Sequence, residues 1–240
     1  MSTRTAVLLA AGRGTRLGRD KPSLLFGGET LLARHIRQAR LAGITEFVVV
    51  AGRHNEDRVR EITATVPDPE QIEVVLQEGP DAHAAAATGL ERVTDREAAF
   101  LCGITDLVPD DTYATMVATA AAPGVTVAAF VLEHTFVGGM LDFHPGTLDL
   151  LRIVERPPGG CPPGRLVNIW IHHLSGRAFI TQIAEATRQL GDYEEAINQA
   201  LAGGSHGTAH TVRDWEAVKD ETSLGRAYER FRPQDPTAAA

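Results

Sequence analysis

Two hydrophobic periods alternate along the chain. Residues 5–11 form a continuous apolar run, the mark of a strand buried on both faces. Residues 30–42 instead place Leu31, Leu32, Ile36 and Ala39 at helical spacing and stop at Gly43. The alternation continues with a strand over 47–51, an amphipathic helix over 55–65, a strand over 72–76, a helix over 82–93 and a strand over 98–103. Asp110 and Asp111 then precede a helix over 112–120 and read as its caps. A fifth strand is expected over 126–132, and the stretch 138–165, rich in Pro and Gly, reads as loop and hairpin. Strand returns over 166–172, helices follow over 178–189 and 192–201, and 212–218 closes the fold before a short helix.

Strands and helices in this order predict an α/β protein, with a mostly parallel mixed sheet flanked by helices on both faces. Ligands of such sheets bind outside the carboxyl ends of the strands. We read residues 1–232 as one domain, with a half over 1–122 and a second over 123–232, and expect 233–240 to be a disordered tail.

Composition narrows the chemistry. The chain has 240 residues, is 43% hydrophobic and 22% charged, and carries a net charge of −8. That charge disfavours a nucleic-acid partner, because phosphate backbones demand clustered Lys and Arg. The two cysteines, Cys102 and Cys161, suggest neither a disulfide framework nor a zinc site. No apolar run is long enough to span a bilayer, and because Arg4 runs directly into a core strand no signal peptide is expected. A cytoplasmic location with no membrane partner is the expectation, and a homodimer is left open.

The chemistry begins where the first strand ends. Leu9-Ala10-Ala11-Gly12-Arg13-Gly14-Thr15-Arg16-Leu17 is a loop of small residues carrying cations, followed by Lys21-Pro22. Glycines let backbone N–H groups approach a polyphosphate, while Arg16 and Lys21 supply mobile positive charge. The third glycine of a dinucleotide fingerprint is replaced by Leu17, and the Gly-Lys-Ser/Thr ending of a Walker A loop is absent. As written, the segment resembles the signature of the nucleotidyltransferases that activate sugar phosphates and small phospho-alcohols, with their Rossmann-like, GT-A-like fold. The resemblance implies that the loop wraps an NTP triphosphate. Arg16 and Lys21 would then stabilise charge on the α-phosphate and the leaving pyrophosphate. The family writes Pro-Lys-x-Leu where this chain has Lys21-Pro22-Ser23-Leu24, which leaves the lysine's register open.

Other segments extend the resemblance in chain order. Gln77-x-x-Pro80-Asp81-Ala82 is similar to the base-reading segment of glucose-1-phosphate thymidylyltransferases, in which Gln77 would read a pyrimidine and Ala82 would back the base. Taken alone, the same residues also suit a turn with Asp81 capping a helix. Asp106 follows the strand over 98–103 where the family places its Mg²⁺ carboxylate, a hard oxygen donor suited to that ion. Near the C-terminus, Trp215 and Leu224 fit the family's second metal segment, but Ala217 and Lys219 stand where it has aspartates. Asp220 is the favoured second ligand, with Glu216 as the alternative and Lys219 available to contact phosphate.

Gly139 and Glu155 resemble the acceptor half of the same family, in which Glu155 would take hydroxyls and Arg156, in place of the family's lysine, an acceptor phosphate; Asn168-Ile169 replaces the family's Thr-Gly, with Asn168 kept as an acceptor residue. His172 and His173 lie on one strand, whose alternation is expected to turn one of them inward; these and His83 and His134 are read as structural. The implied activity is Mg²⁺-dependent transfer of a nucleotidyl group from a pyrimidine NTP. CTP with a small phosphate or phosphonate acceptor is favoured, and UTP or dTTP with a sugar 1-phosphate is the alternative. A nucleotide-binding protein without catalysis is the rival from another class, motivated by the missing aspartates.

Overall fold

The computed structural model describes residues 3–120 and 123–231. Its elements run β1 (Thr5–Leu9), the short hairpin β2 (Leu25–Phe26) and β3 (Glu29–Thr30), α1 (Leu31–Leu41), β4 (Glu46–Ala51), α2 (Glu56–Thr65), β5 (Ile72–Leu76) and α3 (Ala82–Glu91). There follow β6 (Ala98–Gly103), β7 (Asp106–Leu107), α4 (Thr112–Thr119), β8 (Gly124–Val131), β9 (Met140–Phe143), β10 (Leu150–Val154) and β11 (Leu166–Ser175). The last elements are α5 (Arg177–Leu190), α6 (Tyr193–Ala202), β12 (His206–Thr211), β13 (Glu216–Ala217) and α7 (Glu221–Arg230).

The expected α/β architecture is present. β5, β4, β1 and β6 pair side by side, all parallel, and β11 joins antiparallel to β6. Beyond β11 the sheet continues to β8 and β12 and to the β9–β10 hairpin, making nine strands. Strand alternation sends side chains to two separate cores. Ala6 and Leu8 of β1, Phe47 and Val49 of β4, and Phe100 of β6 pack with Ile36 of α1, Val59 of α2 and Met116 of α4. Val7, Val48, Val50 and Leu101 face the other way, against Ala85 and Leu90 of α3, Ile180 of α5 and Ile197 of α6. Both faces of the sheet are therefore closed to water, as continuous apolar strands require.

A third cluster ties the two ends of the chain together. Leu17 and Leu24, Phe26 and Leu31 pack with Leu107, Val218, Leu224 and Phe231. This brings α7 against the loop that follows β1. β13 pairs antiparallel with β7, setting Ala217 opposite Asp106.

Several expectations need correction. The strand near the C-terminus lies at β12, parallel to β8, with only the two residues of β13 inside 212–218. β12 is written His-Gly-Thr-Ala-His-Thr and shows no apolar run, because it is an edge strand of mostly half-buried residues. Asp111 precedes α4 without a side-chain cap bond, and Asp110 instead binds Arg34, Arg37 and Gln38 of α1. Both His172 and His173 are buried, since each face of β11 has its own core. The division at 122/123 rests partly on residues outside those described, as does the tail from 232. Among the described residues, no helix is long and apolar enough to cross a membrane.

Candidate active site

Every segment that the sequence singles out meets in one cleft at the carboxyl ends of the parallel strands. Leu9, Ala10, Ala11, Gly12, Arg13, Arg16, Lys21, Gln77, Pro80, Asp81, Ala82, Asp106, Gly139, Glu155, Arg156 and Asn168 all line it. Gly14, Thr15 and Asp220 lie off its wall.

The loop from 10 to 20 is held by its neighbours. Asn55, at the start of α2, donates from Nδ2 to the Ala10 carbonyl at 3.0 Å and to Asp20 Oδ1 at 2.9 Å. Its Oδ1 accepts from the Gly52 N–H. Gly14 turns the loop: its carbonyl accepts from the N–H groups of both Leu17 and Gly18 at 2.9 Å. Its φ is +58°, and a Cβ there would sit 2.1 Å from the Arg19 carbonyl oxygen, so only glycine fits. Arg13 and Arg16 make no hydrogen bond or ion pair among the described residues, leaving both guanidinium groups available to a ligand.

Lys21 opens a 3₁₀ turn, and its Nζ donates to the Val218 carbonyl at 2.8 Å. Burial, reinforced by the Arg16 charge, pulls its pKa below the ordinary lysine value. Lys219 sits close by, with Nζ 4.0 Å from the centre of the Phe136 ring and 3.4 Å from the Val137 carbonyl oxygen. Burial lowers its pKa too, against the opposing charge of Asp106.

Asp106 occupies the centre of the cleft. Its Oδ1 accepts from the Trp215 indole N–H at 2.8 Å. Burial pushes its pKa up to about 6, against the Trp215 bond and the charges of Lys219 and Lys21. The backbone on either side is fixed from α1. His35 donates from Nε2 to the Ile104 carbonyl while Nδ1 accepts from the Tyr113 hydroxyl, and Gln38 donates to the Val108 carbonyl. The sequence shows none of this support, because His35, Gln38 and Tyr113 are polar side chains placed inside the core.

Metal ligation is where residue type and geometry part. Asp220 caps α7: its Oδ1 accepts from the Ser223 N–H at 2.8 Å, and Ser223 Oγ accepts in return from the Asp220 N–H. Glu216 is held bidentately by Arg226, at 3.0 and 2.8 Å. Asp106 is thus the one carboxylate of the three that faces the cleft, with Oδ2 free of any protein partner among the described residues.

The base-reading segment is folded on itself. Gln77 Nε2 donates to the Gly79 carbonyl at 2.5 Å, which leaves Oε1 and the second Nε2 hydrogen open to a ligand. Asp81 caps α3 by accepting from the Ala84 N–H at 2.9 Å. The helix cap is therefore present, and it lies on the cleft wall beside Gln77.

The acceptor residues converge on a glycine. A Cβ on Gly139 would lie 2.9 Å from Glu155 Oε2 and from Asn168 Cβ, so the missing side chain makes the hollow they enclose. Glu155 ends β10, and Arg156, with φ at +44°, turns away to an exposed position 3.4 Å from the Glu155 carboxylate. Asn168 is positioned from behind. The Tyr193 hydroxyl donates to His172 Nδ1 at 2.9 Å, and His172 Nε2 donates to Asn168 Oδ1 at 2.8 Å. Burial holds His172 near a pKa of about 3, so the ring stays neutral and keeps this tautomer. Asn168 Nδ2 is buried without a partner. Three further residues lie on this wall, His83, Trp170 and Glu194. The sequence reading gave His83 a structural role and did not single out Trp170 or Glu194, because a strand tryptophan and a first-turn glutamate each have ordinary structural uses.

Comparison with known proteins agrees with this geometry. The family model described as a MobA-like NTP transferase domain matches residues 6–206. The bifunctional protein GlmU of Geobacter metallireducens is 32% identical over 247 residues, covering 95% of this chain and 50% of that protein. GlmU of Xanthobacter autotrophicus is 37% identical over 131 residues, covering 53% of this chain and 29% of that protein. The chain thus spans half or less of the length of these relatives. A Bacillus anthracis structure, described as a glucose-1-phosphate thymidylyltransferase in complex with sucrose, superposes with a TM-score of 0.80 over 97% of both chains at 16% identity. That likeness shows the fold.

Proposed function

The chain belongs to the MobA-like NTP transferase family, and we propose that it moves a nucleotidyl group from an NTP to the phosphate of a small acceptor. The observation that carries this reading is the single cleft joining the cationic loop, Asp106 and the Gly139–Glu155–Asn168 hollow. An acceptor phosphate oxygen attacks the α-phosphorus, the new P–O bond forms, the bond to the β-phosphate oxygen breaks, and pyrophosphate leaves. Positioning and charge stabilisation are the protein's whole task in such a displacement. Arg16, Lys21 and Lys219 bring three cations to the charge that develops on the α-phosphate and the leaving group. Lys21 and Lys219 are drawn out of water, which strengthens their interaction with phosphate. Gln77 Oε1 would accept from the donor base, and the Leu9–Thr15 loop would cradle the phosphates.

The donor set fits Mg²⁺ held by one protein carboxylate, Asp106 through Oδ2, with substrate phosphates completing the shell, a common arrangement for this ion. Bound there, Mg²⁺ would neutralise phosphate charge as a Lewis acid. Asp220 and Glu216, engaged elsewhere, do not add to that shell.

For the acceptor, the likeness in fold to a Bacillus anthracis glucose-1-phosphate thymidylyltransferase favours a sugar 1-phosphate with dTTP, and UTP is the other donor of this reading. CTP with a small phosphate or phosphonate is the second reading, favoured by the short four- and five-residue strands of the acceptor hairpin β9–β10. A pyrophosphate-release assay pairing ATP, GTP, CTP, UTP and dTTP with hexose 1-phosphates and with small phosphate and phosphonate acceptors decides between them. Release with a pyrimidine NTP supports transfer. Tight NTP binding with no release for any pair overturns transfer in favour of a binding protein.

A further inference from the structure

Three buried polar side chains at the acceptor end form a chain that runs from α6 through β11 to the cleft wall. β11 carries Asn168 and His172 four residues apart, a separation of about 13 Å along a regular strand. Their side chains nevertheless meet, with His172 Nε2 2.8 Å from Asn168 Oδ1. The pairing of β11 with β8 breaks register between these two residues, and such irregularities re-aim side chains beside sites. Behind His172 stands the Tyr193 hydroxyl, 2.9 Å from Nδ1, in the first turn of α6. Asn168 is 5% exposed, and His172 and Tyr193 are 0% exposed. At the front of the chain, Asn168 Nδ2 has no hydrogen-bond partner among the described residues. A Cβ on Gly139 would lie 3.3 Å from that nitrogen and 2.9 Å from Glu155 Oε2, so both groups border one hollow.

Counting protons selects one arrangement of this chain. A phenol hydroxyl donates once, a neutral imidazole carries one N–H, and an amide has a donor end and an acceptor end. With Tyr193 donating to Nδ1 and Nε2–H donating to Asn168 Oδ1, the buried groups are matched except for Asn168 Nδ2. The reverse tautomer would leave the Tyr193 hydroxyl proton unmatched and turn the Asn168 oxygen toward the Glu155 carboxylate, two orphans in place of one. We propose that Tyr193 and His172 are positioning residues for the acceptor, which set the polarity of the Asn168 amide so that the hollow pairs one donor, Nδ2, with one acceptor, Glu155. A buried N–H without a partner is costly, and an acceptor oxygen that reaches it recovers that cost on binding. A reversed amide would instead set two hydrogen-bond acceptors side by side and demand two protons from the ligand. The dyad thus acts on the acceptor alone, through Asn168, and leaves the triphosphate loop untouched.

This inference rests on the transfer reading, and nitrogen NMR of ring-labelled histidine separates the two because it needs no turnover. With the His172 signals assigned by their loss in His172→Gln, Nε2 should carry the proton and Nδ1 none. Tyr193→Phe, which removes the donor to Nδ1, should mix the two tautomers. Pyrophosphate release is then measured with glucose 1-phosphate or glycerol 3-phosphate, whichever reacts. His172→Phe should raise the acceptor KM about tenfold or more and leave the NTP KM within about twofold. His172→Gln keeps an N–H at the place of Nε2 and should return the acceptor KM to within about threefold of the unaltered protein. A proton on Nδ1 in the unaltered protein overturns the proposal, whatever the turnover. A folded His172→Phe protein whose two KM values rise together, or in which neither moves, overturns it as well. Should His172→Phe not fold, Tyr193→Phe decides by the same comparison of the two KM values. A proton on Nε2 with no release from any NTP and acceptor pair sinks transfer and supports the orientation of the amide.

Discussion

The indole of Trp215 donates to Asp106 across 109 residues of sequence, at 2.8 Å and out of contact with water. The bond fixes Oδ1 and leaves Oδ2 toward the cleft, and it offsets part of the burial that drives Asp106 up to about 6. Trp215→Phe keeps an aromatic ring and removes the donor together with part of the indole's packed volume, so a thermal melt accompanies the assay. Groups that orient a metal-binding carboxylate typically contribute about 10–100-fold to affinity or activity. We expect pyrophosphate release to fall by that factor and the Mg²⁺ titration to shift to higher concentration. An unchanged Mg²⁺ dependence would remove the indole from the argument.

Lys21 and Lys219 should be separable. Lys21→Met removes a cation from the loop side and should lower turnover about 10²–10³-fold, as loss of one group stabilising developing charge does. Lys219→Met should lower turnover while also loosening the contact with Phe136. Thermal melts guard against simple unfolding. A Lys219→Met protein with full turnover would leave Lys219 a packing residue.

Gly14→Ala tests the loop. Both the φ of +58° and the approach to the Arg19 carbonyl oppose a Cβ. Strain on the order of 1–3 kcal/mol corresponds to a Tm lower by roughly 2–12 °C in a chain of this size. Gly12→Ala meets nothing within 4 Å and should leave Tm unchanged. Equal melts for the two variants would contradict the turn described here.

Acid should destabilise the fold through its buried histidines. Burial holds His35 and His172 at about 3 and His173 at about 4, below the ordinary 6.5. The unfolded chain therefore binds more protons than the fold between pH 6.5 and those values. Their stabilisation is complete above pH 6.5 and is lost as pH falls. Asp106 acts in the opposite sense, favouring the fold as pH drops through about 6. Each histidine contributes a slope of up to about 1.4 kcal/mol per pH unit. Urea denaturation between pH 4.5 and 7.5 should show His172→Gln with a slope shallower by about one proton. Parallel slopes would mean that His172 is not held neutral.

Much of the donor side was legible because it obeys short-range rules. The apolar runs of β1, β4 and β6 mark strands covered on both faces, and the glycine loop marks itself. The acceptor side was legible only where residues match a motif, as at Gly139 and Glu155, or stand at a motif's place, as Asn168 does. What decides the rest is tertiary. Asp220 is a sound metal ligand by residue type, yet the α7 N-cap engages it. Glu194 looks like an ordinary first-turn acid until α6 docks and buries it. The two-residue strands β7 and β13 are too short to leave a pattern, although their pairing sets Ala217 beside Asp106.

That pairing has a consequence for biogenesis. Asp106 is synthesised 109 residues before its indole partner, and its opposing strand arrives just after that partner. The apolar support of the loop after β1, from Leu107 on one side and Val218, Leu224 and Phe231 on the other, is likewise complete only then. Domains emerge from the ribosome N-terminus first, at about 5–20 residues per second. A nascent chain ending before residue 215 can form the parallel strands and their helices, but not the finished centre. The site proposed around Asp106 is therefore completed only once α7 has been made, and a chain cut before residue 215 should fold its parallel core and release no pyrophosphate.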